Sequence, residues 1–179
     1  MKIDIARQPL VPAFMTLFAL AVAAMCAGIP VSDTSGAVRD ALPLLGGQLA
    51  RFQAAYPVWS KFAAGFMLLF TGMCAGRITI RYNLYTVGTC LPIPLYAIVA
   101  CGIATGGNYL AGFAASMLLA LATKNYCRAF CNGYGFDAIF RASLYLGLMP
   151  LVYAPGLPML LLLPLVDLLL KKKHLSMLF

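Results

Sequence analysis

The sequence predicts an all-α fold, a polytopic transmembrane helix bundle of about six spans with an amphipathic helix in its first extracytoplasmic loop. Three observations predict it. The 179 residues are 63% hydrophobic and 10% charged, against about 25% charged in a soluble domain. Apolar runs recur along the chain and are separated by polar turns. The basic residues gather at alternate ends of those runs, which marks the cytoplasmic side. The net charge of +8 is therefore read as orientation in a bilayer rather than as a nucleic-acid surface.

The first run, Leu10 to Ile29, is long enough to span. Lys2 and Arg7 give it a basic start, and Ala24-Met25-Cys26 has the look of a lipoprotein cleavage site. The run exceeds the usual signal core of about 7–15 residues, so a retained helix is expected. Ala19, Ala23 and Ala27 lie four apart and offer a small-residue face for a neighbouring helix.

The polar loop from Val31 to Pro57 follows. In it Val38, Leu42, Leu45, Leu49, Phe52 and Tyr56 recur at steps of four and three, one stripe of a helix. Pro43 interrupts the stripe, so the helix opens near it or two short helices meet there. Such a helix either lies in the headgroup layer or packs on its own bundle.

The second span is expected from Val58 to about Ala75, with Trp59 at its start as an interface anchor. Gly72 and Gly76 form a Gly-x-x-x-Gly packing step. Arg77 to Asn83 reads as a short basic turn. A third span, Leu84 to Ala104, contains Pro92 and Pro94, which should kink it. Gly106-Gly107-Asn108 is a turn. The fourth span, Tyr109 to Thr123, carries Gly112 and Ser116 at small-residue spacing.

Lys124 to Asp137 reads as a cytoplasmic loop. Within it Asn132-Gly133 should end one helix, and Asp137 suits the first turn of the next. A fifth span, Ala138 to Tyr153, is broken by Ala154-Pro155-Gly156. A sixth, Leu157 to Leu170, stops at Lys171-Lys172-Lys173. Both are short, so two full spans or a re-entrant hairpin fit residues 138–170.

Six spans with both termini in the cytoplasm put Lys2, Arg7, Arg77, Arg81, Lys124, Arg128, Arg141 and Lys171 to Lys173 on one side, ten of the thirteen basic residues. Arg39, Arg51 and Lys61 fall on the other. Residues 1–179 are thus expected to form a single integral domain of a bacterial inner membrane, with 31–57 outside the cytoplasm and 124–137 inside.

Chemistry-bearing residues are few. The acids are Asp4, Asp33, Asp40, Asp137 and Asp167, with no glutamate. Asp33, just beyond the first span, is the one catalytic candidate, able to act as a base or bind a metal at the outer face. Its ordinary role is a turn or helix cap. Asp137 with Arg141 and Asp167 with Lys171 have i, i+4 spacing and suit surface pairs. Asp167 inside an apolar run would otherwise mark an ion path.

Cys127 and Cys131 are four apart, and His174 is the single histidine. Two thiols without two further ligands make no zinc site, so no metal and no cofactor is expected. No phosphate loop, dinucleotide fingerprint or Ser/His/Asp set occurs. Arg128, Tyr134 and Arg141 are the expected contacts for lipid phosphates or a partner. The partners expected are the bilayer and either another membrane protein or a second copy of the chain. Nucleic acid is not among them.

From Arg81-Tyr82-Asn83 to Lys173 the chain resembles a multi-span inner-membrane family of Bacteroidota. The likeness rests on that asparagine after the basic turn and on the proline-bearing third span. Phe136-Asp137-Ala138, Leu151-Val152-Tyr153-Ala154-Pro155 and the leucine-rich span ending in lysines complete it. The resemblance implies a compartment and no mechanism, and it implies that this chain is short beside the family's members.

The layout of Asp33 followed by the stripe is similar to that of membrane polyprenyl-phosphate-sugar glycosyltransferases. Only Asp40 is present as a second outer acid, and no soluble acceptor domain follows. The function expected is a non-enzymatic subunit or scaffold of a membrane complex. The alternative is a lipid-linked sugar transferase or lipid-handling protein using Asp33.

Overall fold

In the computed structural model the chain is all-helical: every regular element among the described residues is a helix. The structure describes residues 10–26, 44–82, 90–104, 108–131, 135–163, 165 and 168. Six α-helices run in order: α1 Leu10–Cys26, α2 Leu44–Ala55, α3 Pro57–Arg81, α4 Pro92–Ala104, α5 Tyr109–Cys131 and α6 Phe136–Val152. A 3₁₀ segment, Ala154–Leu161, follows.

Helix α3 is the axis of the assembly. It packs against α1, α2, α4 and α5, while α5 in turn carries α6. Its 25 residues span about 38 Å at 1.5 Å per residue, more than the ~30 Å of a hydrocarbon core. Among the described residues it is the one helix long and apolar enough to cross a membrane.

Glycine explains how the axis is packed. A Cβ on Gly72 would stand 2.7 Å from Leu17 Cδ2, and one on Gly76 would stand 2.6 Å from Ile93 Cδ1. The two bare positions on α3 therefore admit α1 and α4 at close range, the use expected of the Gly-x-x-x-Gly step. The facing side of α1 is Ala13, Leu17 and Ala21, each fully buried. This corrects the expected Ala19 and Ala23 face: both are exposed, and Ala27 lies outside the described residues. The side chain that fills the gap over Gly72 selects the face, and that is Leu17.

Three helix boundaries differ from expectation. The helix that carries the expected second span does not end near Ala75. The helix continues through Arg81, where cations suit the negative end of the helix dipole. The helix expected to end near Thr123 likewise runs on to Cys131, so Lys124 to Cys131 is helix, and residues 132–134 lie outside the described set. Pro92 and Pro94 do not kink a span. They occupy the first turn of α4, where the missing N–H groups have no intrahelical partners to lose. Residues 84–89 lie outside the described set.

Helix α2 opens at Leu44, directly after Pro43, and stops at Ala55 because Pro57 pushes Tyr56 out of the helical region (φ −131°, ψ 70°). It packs on α3, α5 and α6. The predicted stripe faces inward only in part: Leu49 packs on the core, and Val38 and Leu42 lie outside the described residues. Gly46 and Gln53 are buried, whereas Leu45, Phe52 and Tyr56 are exposed. A glycine and an amide fit against neighbouring backbone, which leaves the larger apolar groups to flank the contact.

Helix α6 ends at Val152, and the chain turns at once into the 3₁₀ segment, which packs back on α6. Gly156 lies against Met149 in that return.

Candidate functional site

A concavity lies where the start of α1, the last turns of α3 and the start of α4 meet. It is a cleft of about 750 Å³, within the usual range for ligand pockets. Its walls are apolar: Leu10, Val11 and Phe14 from α1, Phe70 and Met73 from α3, and Ile93 from α4. Its rim is basic, with Arg77, Arg81 and Tyr82 at the end of α3 and Lys124 from α5. No acidic side chain among the described residues lines it.

The fold produces this rim by helix direction. Helices α3 and α5 end where α1 and α4 begin, so cations at two C-terminal ends meet beside two apolar N-terminal ends. Arg77 and Arg81 are one turn apart on α3, and all three cations are exposed. Arg77 and Lys124 both stand close enough to Cys74 for their charges to act on its sulfur. An apolar trough ending in clustered cations can hold an amphiphile, anion at the rim and chain along the wall.

The opposite end of α3 is tied by polar contacts. Ser60 and Tyr109 are both buried, with their hydroxyl oxygens 2.6 Å apart. Ser60 Oγ gives its one proton to the Pro57 carbonyl at 2.8 Å. Tyr109 must therefore donate to Ser60. Gln53 Oε1 accepts from the Leu110 backbone N–H at 3.4 Å, one of the orphan donors of the α5 N-terminus. Midway along the bundle, Tyr96 and Ser116 hydroxyls lie 3.2 Å apart, and Ser116 donates to the Phe113 carbonyl. Thr71 Oγ1 is buried without a hydrogen-bond partner.

The residues singled out in the sequence fare unevenly. Arg128 is exposed on the last turns of α5. Arg141 is exposed on α6 and donates from Nε to Asp137 Oδ1 at 3.0 Å, the expected i, i+4 pair. Asp137 sits in the first turn of α6 as anticipated. Neither Arg128 nor Arg141 lines the cleft. Asp33, Tyr134, Asp167, Lys171 and His174 lie outside the described residues. Among the described residues no three metal-ligating side chains come together. Cys127 is half-buried on α5.

The cleft itself was missed as a site. Arg77, Arg81 and Lys124 entered the sequence argument as orientation markers alone. The signal that pointed to more was the one-turn spacing of the two arginines at the end of an apolar run. Comparison with protein-family models, with curated proteins and with solved structures finds no match for the chain.

Proposed function

We propose that the protein is an integral inner-membrane helix bundle, crossing the bilayer about six times with both termini in the cytoplasm, and that it serves as a non-catalytic subunit or scaffold of a membrane complex. One observation carries the membrane reading. From Val58 to Met73 the outward side of α3 is apolar, with Val58, Trp59, Phe62, Phe66, Phe70 and Met73 all exposed, and exposed cations come only in its last turns, at Arg77 and Arg81. In water so long an apolar face would favour association or aggregation. In lipid it needs no cover. The cluster of Arg77, Arg81 and Lys124 at one end of the bundle agrees with a cytoplasmic end there.

The scaffold reading is supported by the scarcity of chemistry-bearing side chains, five aspartates and one histidine in 179 residues. The test has two stages. A cysteine-free variant carrying Gly36→Cys should react with a membrane-impermeant thiol reagent in spheroplasts. Labelling only after the membrane is opened would refute the topology. Purification in mild detergent should then bring down a stoichiometric membrane partner or a second copy. A monodisperse lone monomer would refute the subunit role.

A lipid-handling role is the second reading, favoured by the basic-rimmed cleft. A transferase version of it rests on Asp33, which follows the C-terminal end of α1, whereas the cleft gathers at the N-terminal end. Asp33→Asn with unchanged glycan and lipid composition, in a protein that accumulates normally, would remove that version.

A further inference from the structure

We propose that the cleft at the α1, α3 and α4 junction holds a structural phospholipid whose headgroup carries two negative charges. Arg77, Arg81 and Lys124 take the phosphates, and an acyl chain lies along Phe14, Met73 and Ile93. The proposal rests on the membrane reading above and specifies what that end of the bundle binds.

Charge complementarity selects the occupant. Arg77 and Arg81 stand one turn apart on α3, and Lys124 reaches the same rim from α5. None of the three has an ion-pair partner among the described residues. Three cations around one mouth outmatch a singly charged headgroup and suit a doubly charged one. Arginine offers a planar fork to phosphate oxygens, and lysine adds a point charge. Tyr82 adds a phenol at the same rim. Basic pockets between helices at a cytoplasmic interface are where diphosphate lipid headgroups seat.

The apolar part of the cleft fits a chain and not a free anion. Its walls come from three helices, and Ile93 at its base is almost fully buried. The cleft opens beside Leu10 and Val11, both exposed on α1, so a tail can pass from it into surrounding lipid. A soluble phosphate would use the rim and leave the trough unfilled.

The test uses the full chain in phosphatidylcholine nanodiscs doped with diphosphatidylglycerol, with phosphatidylglycerol, or with neither. Bound lipid is read by native mass spectrometry, and thermal unfolding is followed in parallel. Each cation near a phosphate is worth about fivefold in affinity, so Arg77→Ala/Arg81→Ala/Lys124→Ala together should weaken retention about a hundredfold. Arg51→Gln, at the other end of the bundle, should leave retention unchanged. Lys124→Glu alone should lower retention more than Lys124→Ala, which supplies a reading should the triple variant fold poorly.

Preference for diphosphatidylglycerol over phosphatidylglycerol, insensitive to added inorganic phosphate, is the expected result. Equal retention by wild type, the triple variant and Lys124→Glu overturns the proposal. So does displacement by inorganic phosphate alone. So does a loss of stability in Asp4→Asn matching that of Lys124→Ala with no lipid dependence, since the chain's own amino terminus would then serve the cations. Recovery of the protein from the soluble fraction without detergent would instead defeat the membrane reading, a separate observation from a flat lipid response.

Discussion

Leu17 of α1 sits directly over Gly72 of α3: both of its terminal methyls would stand within 2.8 Å of a Cβ at that position. Ile93 of α4 holds the same relation to Gly76, with its Cδ1 and Cγ1 each 2.6 Å from a Cβ there. Leu17 is fully buried and Ile93 nearly so.

Alanine at either glycine gains about 1 kcal/mol of helix propensity and meets an overpacking cost of about 1–3 kcal/mol. Gly76→Ala should be the worse of the two. The displaced Cγ1 of Ile93 is close to the backbone on a β-branched, stiff side chain, whereas Leu17 presents only its two methyl ends. Gly147→Ala is the control, with nothing within 4 Å of its Cβ, and should stabilise by about 0.5–1 kcal/mol. Thermal unfolding in one detergent orders the three. Gly76→Ala as stable as Gly147→Ala would mean that α4 is not held at this contact.

The hydrogen-bond direction at Ser60 and Tyr109 makes their substitutions unequal. Tyr109→Phe removes a donor from an oxygen that still bonds the Pro57 carbonyl, and should cost about 0.5–1.5 kcal/mol. Ser60→Ala strands a buried phenol and should cost about 1–3 kcal/mol. The double variant should be more stable than Ser60→Ala alone. A double-mutant cycle measures the difference, and strict additivity would show that the 2.6 Å contact contributes nothing.

Packing at Gly72 and Gly76 was legible because glycine four apart leaves a gap whatever surrounds it. The matching face of α1 was not. That helix has alanines at 13, 19, 21, 23 and 24, so a four-residue period exists in more than one frame. Only the partner decides which is used. The stripe on α2 misled for another reason. Leu49 packs inward, but the Leu110 amide takes the Gln53 side chain as its acceptor, so Gln53 faces in while Leu45, Phe52 and Tyr56 face outward.

Residues 77, 81 and 124 could each be read as basic ends of apolar runs. Their convergence on one rim depends on α3 lying beside α5, a tertiary fact with no local signature.

Thr71 gives a test with the opposite sign. Its hydroxyl is buried and unpartnered, and the residue is 3% exposed. Valine has nearly the same shape and carries no polar group. Removing an unsatisfied buried hydroxyl should leave stability unchanged or raise it by about 1 kcal/mol or more. Thr71→Val measured by thermal unfolding checks this. A marked loss would assign the hydroxyl a bonded role in the interior between α3 and Tyr96.

At the α6 N-terminus, Asp137 acts twice. It pairs with Arg141 and lies in the first helical turn, where a carboxylate meets the positive end of the dipole. The exposed pair is worth about 0.3–0.5 kcal/mol. Asp137→Ala should therefore cost more than Arg141→Ala, by about 0.3–1 kcal/mol from the dipole. Both effects should shrink at high salt. Equal losses would leave no dipole contribution to explain.

Gln53 joins α2 to α5 through a donor that the helix cannot satisfy for itself. The Leu110 N–H lies in the first turn of α5, is buried, and finds its acceptor in Gln53 Oε1 at 3.4 Å. Gln53→Leu keeps the volume and removes the acceptor. The expected cost is about 1–3 kcal/mol, the range for a buried donor left unpaired. The loss should be local before it is global, because α2 is short and its buried positions are Gly46 and Gln53. Amide exchange in detergent should accordingly quicken at Leu110 and along α2 while α6 stays protected. If exchange rises evenly over α2, α5 and α6, Gln53 holds the whole bundle rather than one helix. If it does not change at all, the Leu110 amide has another acceptor and α2 is held by shape alone.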